Sequence, residues 1–72
     1  VNAPIDYAIT LDAAIDMVDV AIVSWSRRLR AEGKAPTREA FFAIVSRASE
    51  LDDAGDVDGL LKLVAELKEG MQ

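Results

Sequence analysis

Asp12, Asp16 and Asp19 recur at i, i+4 and i+7, which places three carboxylates along one side of a helix. Oxygen donors in that arrangement are the chemistry that holds a hard cation such as Ca²⁺ or Mg²⁺. One helix alone cannot surround an ion, however, and no second carboxylate set is tied to this one. A solvated acidic face, eased by the positive end of the helix dipole, accounts for the same pattern and is the stronger reading.

A second acidic cluster, Asp52, Asp53, Asp56 and Asp58 before Gly59, invites comparison with a calcium-binding EF-hand loop. With Gly59 set at the loop glycine, the first ligand position falls on Ala54 and the twelfth on Ala65. Both anchoring ligands are missing, so the cluster reads as an acidic turn that caps the following helix. No metal and no other cofactor is expected.

Catalysis finds little to work with. The chain has no cysteine and no histidine, which removes the thiolate, the usual zinc ligand and the side chain that titrates near neutral pH. A general base would have to be a shifted carboxylate, a lysine or the single Tyr7. No Ser-Lys pairing and no Gly-rich phosphate cradle is present, so the chain is not read as an enzyme.

The bases are concentrated. Arg27, Arg28, Arg30, Lys34 and Arg38 face only Glu32 within residues 27–38, whereas residues 1–26 hold four acids and no base. Such a segment could meet phosphates or an acidic protein surface. The competing explanation is that these side chains complement a helix C-terminus and pair with the chain's own acids. That explanation weighs more, but the segment is still the best candidate for a specific partner contact. Phe42 joins it, because Phe41 and Phe42 point about 100° apart on a helix and cannot both face one core.

Size sets the limits. Seventy-two residues with a formal charge of −5 and 51% hydrophobic content make one domain at most, near the lower limit for a self-sufficient core. No run approaches the roughly 20 apolar residues of a membrane crossing. The N-terminus lacks the basic-then-apolar layout of a secretory signal. A cytoplasmic location is the expectation, and the net charge disfavours general nucleic-acid affinity.

Glycine, proline and capping residues divide the chain into three helices. Thr10 caps the first, which runs from about 11 to 32 and ends at Gly33, with Pro36 barring continuation. Thr37 caps a second, about 37–54, with Phe41, Ile44, Val45, Ala48 and Leu51 as its apolar face. Gly55 and Asp56 then form a tight turn into a third, about 57–69, whose face is Val57, Leu60, Leu61, Val64 and Leu67. No alternating run supports a strand. The fold class is all-α: a three-helix bundle made of one long helix and a helical hairpin. Residues 1–10 form an N-terminal arm or helix extension, and 11–72 form the single helical domain.

The first helix carries surplus apolar surface. Leu11, Ile15, Val18, Ile22, Trp25 and Leu29 make a seam, read as the intramolecular core, and the apolar residues spread over roughly 220°, twice what a surface helix needs. Ala13, Met17, Val20 and Val23 lie beside the seam, where a hairpin of two short helices does not reach. They are assigned to self-association as a homodimer, the commonest oligomer. The alternative is that Ile5, Tyr7 and Ile9 fold back over that flank. The function this supports is a small acidic helical interaction module, an adaptor, regulator or inhibitor, whose partners are a second copy of itself and another protein. The other reading is a helix-turn-helix DNA-binding regulator using residues 27–38. Its third helix, however, offers Lys62 and Lys68 among Asp58, Glu66 and Glu69, so phosphate would repel that face.

Overall fold

Thr10 opens the first helix by accepting a hydrogen bond from the Ala13 amide at 3.1 Å, and α1 spans Leu11–Ala31. Its end is tied by two backbone bonds, Gly33 N–H to Arg30 O at 3.0 Å and Lys34 N–H to Leu29 O at 2.8 Å. Thr37 repeats the capping device with the Ala40 amide at 3.0 Å, and α2 spans Arg38–Ala54. Asp56 accepts from the Gly59 amide at 2.9 Å and begins α3, Val57–Lys68. The computed structural model describes residues 9–70, and among these there is no strand. The fold is all-α, and every helix boundary lies within about a residue of the one its capping signals imply. The proposed arm is described only at Ile9 and Thr10, neither of them helical; its residues 1–8 lie outside the described residues.

The core is Ala14, Val18, Ala21 and Trp25 of α1, Ile44 of α2, and Leu60, Leu63, Val64 and Leu67 of α3. α3 is the middle of the fold: it packs most extensively on α1, α2 leans on α3, and α1 and α2 touch least. The arrangement is open, with a radius of gyration of 13.9 Å, against about 11 Å for a close-packed chain of this length.

That topology corrects the six-residue seam. Only Val18 and Trp25 of those six are buried, whereas Leu11, Ile15, Ile22 and Leu29 are partly buried. The true contact line on α1 is rotated toward Ala14 and Ala21. Their small side chains let α3 approach closely, and α2 lies too lightly on α1 to cover Ile15 and Ile22. The apolar faces of the other helices shift for the same reason. Leu63, not included in the sequence-derived face of α3, is fully buried, while Phe41 and Val45, assigned to the core face of α2, are exposed. A helix held between two neighbours buries a wider arc than one packed from a single side.

Candidate interaction surface

On α1 at 100° per residue, the direction straight away from Ala14, Val18, Ala21 and Trp25 is occupied by Val23, Asp16 and Arg27. Val20, Asp12 and Arg30 flank them, and all six are exposed. Val20 keeps 66% of its surface in water and Val23 49%, the latter in the midst of charged neighbours. Met17 is 37% exposed and, with exposed Ala13, lies nearer the edge of the core. The four self-association residues therefore spread over about 120° of the helix surface. Val23 points straight outward, Val20 and Ala13 follow side by side, and Met17 lies on the shoulder of the core.

The basic segment divides by role. Arg28 is half-buried and its Nη2 donates to the Leu67 carbonyl near the end of α3, which also accepts from the Gly70 amide. Lys34 lies 3.6 Å from Glu32 in an exposed pair. Arg47, outside the segment, bridges α2 to α3 through Glu66 at 2.7 Å. Arg27, Arg30 and Arg38 are exposed and form no ion pair among the described residues. Pairing within the chain thus accounts for some of the bases and leaves these three facing solvent.

Phe42 is 58% exposed and Phe41 44%, their rings edge to face with centroids 6.5 Å apart. They line a hollow of about 420 Å³ together with Ser26, Arg30, Pro36 and Arg38. Phe42 is exposed, as its angle on the helix implies, and Phe41 and Val45 are exposed as well. The latter two continue the apolar spacing of α2, and spacing does not say which part of an arc a neighbour covers. A second cleft of about 430 Å³ adjoins the hollow across Ala35, Pro36 and Thr37, between Trp25, Arg28 and Glu69.

The acidic clusters behave as solvated faces and caps. Asp12, Asp16 and Asp19 stay on the exposed side of α1, and no group of three or more potential ligands is gathered among the described residues. The Asp56 carboxylate is engaged by the Gly59 amide. No described helix is long and apolar enough to cross a membrane. No protein-family model, no curated protein and no solved structure matches the chain.

Proposed function

We propose that this chain is a small acidic helical interaction module that self-associates through the outward face of α1 and engages a further protein as an adaptor, regulator or inhibitor. The observation that carries this reading is the exposure of Val20 and Val23, 66% and 49%, at the middle of the longest helix and opposite the core. Covering one such side chain is worth roughly 1.5–3 kcal/mol, a large share of the roughly 5 kcal/mol on which a small domain rests. The exposed Phe41, Phe42 and Val45 offer a separate apolar patch for a further protein, and aromatic residues commonly anchor such contacts.

The DNA-binding alternative draws less support. The third helix, which would read base edges, buries Leu60, Leu63, Val64 and Leu67 and presents Asp58, Lys62 and Lys68 outward, with exposed Glu69 at its C-cap. Those four charges cancel, so the face gives little of the net positive charge that draws a phosphate backbone.

The test is Val20→Glu, read by solution mass and by circular dichroism. The expected outcome is loss of the oligomer with helical content unchanged. An oligomer that survives the added carboxylate contradicts assembly through this face.

A further inference from the structure

The outward face of α1 is ordered in charge as well as apolar at its centre. Asp12, Asp16 and Asp19 occupy its N-terminal half, and Arg27 and Arg30 its C-terminal half. None of the five forms an ion pair among the described residues, and all are exposed. At 1.5 Å per residue, Asp16 and Arg27 stand about 16 Å apart, too far to neutralise each other across salty water.

We propose that the second copy docks antiparallel on this face, about a twofold axis passing between Val20 and Val23. This rests on the self-association reading above and adds its geometry. Val20 and Val23 are equidistant from that axis, and so are Asp16 and Arg27. Rotation by 180° therefore sets Val20 against Val23 of the partner subunit and Asp16 against Arg27 of the partner subunit. Asp12 and Arg30 of the partner subunit come level within a residue. Each contact occurs twice, as an isologous interface requires. A parallel pairing would set acids against acids and bases against bases, so the charge order selects the antiparallel arrangement.

The hollow at Phe41 and Phe42 fits the same docking. Arg30 is on its wall, so the N-terminal end of the partner subunit's α1 comes level with a recess bordered by Arg30 and Arg38.

The experiment uses the 72-residue chain and sedimentation equilibrium, with circular dichroism confirming that each variant is folded. Asp16→Arg and Arg27→Asp should each raise the dimer dissociation constant about tenfold, because each replaces two attractions by two repulsions. Mixed in equal amounts, the two variants should associate with each other, since every facing pair is again opposite in charge. The doubly substituted D16R/R27D chain should regain the parent's self-association. Independently, the parent dimer should weaken several-fold between about 50 and about 500 mM salt. A dimer indifferent to the charge reversals, or to salt, overturns the antiparallel register while self-association stands. A parent chain that never dimerises overturns both.

Discussion

Arg28 reaches from the last turns of α1 to the Leu67 carbonyl at the end of α3, so a base in the most conspicuous charged segment of the sequence fastens one helix to another. The Gly70 amide, at 3.3 Å, also donates to that oxygen, which keeps it from being wholly orphaned when the guanidinium is removed. Arg28→Ala should therefore lower unfolding stability by about 1–2 kcal/mol in urea titrations, whereas Arg27→Ala, exposed and without an ion-pair partner, should change it by less than about 0.5 kcal/mol. Equal effects of the two would contradict the structural role assigned to Arg28.

The rotated core line makes an opposed pair of expectations. Leu63 is fully buried in the middle of the fold, and Leu63→Ala should cost about 2–5 kcal/mol, enough to bring so small a domain close to half unfolded. Ile22 is only partly buried, and Ile22→Ala should cost about 1 kcal/mol. The denaturant midpoints of the two variants check this directly. A larger loss at Ile22 would restore the original seam as the core.

Gly55 holds φ at +67°, in the left-handed region. It ends α2 with paired bonds from Gly55 N–H to Asp52 O at 3.0 Å and from Asp56 N–H to Leu51 O at 2.9 Å. A Cβ there would meet nothing within 4 Å, so the penalty of a substitution is conformational rather than steric. Gly55→Ala should destabilise the chain by about 1–2 kcal/mol, measured by thermal unfolding. Gly55→Asn should cost less, because asparagine tolerates this region better than alanine.

Phe42 and Ile44 are two residues apart and lie in opposite situations, 58% and 4% exposed. Phe42→Ser should leave stability within about 0.5 kcal/mol of the parent. Ile44→Ser should cost several-fold more, because it opens a cavity and buries a hydroxyl in an apolar setting. If Phe42→Ser instead unfolds the chain, the ring is part of the core and the patch on α2 is not free for a partner.

The helix boundaries were legible because they are written in local chemistry. Thr10, Thr37 and Asp56 cap their helices through their own side chains, and Gly33 and Gly55 stop theirs through backbone freedom that other residues lack. Which part of each apolar arc is buried was much less legible. It depends on where the neighbouring helix lies, and α3 takes the central place that a reading centred on the long helix gave to α1. Leu63, Phe41 and Val45 were misassigned for that one reason. The exposure of Val20, Val23 and Phe42 was foreseen, because their positions are discordant with any single buried face. Arg28 could not be told from Arg27 or Arg30 by composition, since only the tertiary fold brings the end of α3 within its reach.

The central claim is that the outward face of α1 joins two copies of the chain. The most direct measurement is the solution mass of the unaltered 72-residue chain by sedimentation equilibrium, across a dilution series from about 1 mM to about 1 μM at low salt. Pairing through this face gives twice the 7.8 kDa chain mass at the concentrated end, falling toward the single-chain value on dilution. A mass that remains 7.8 kDa throughout the series would contradict it.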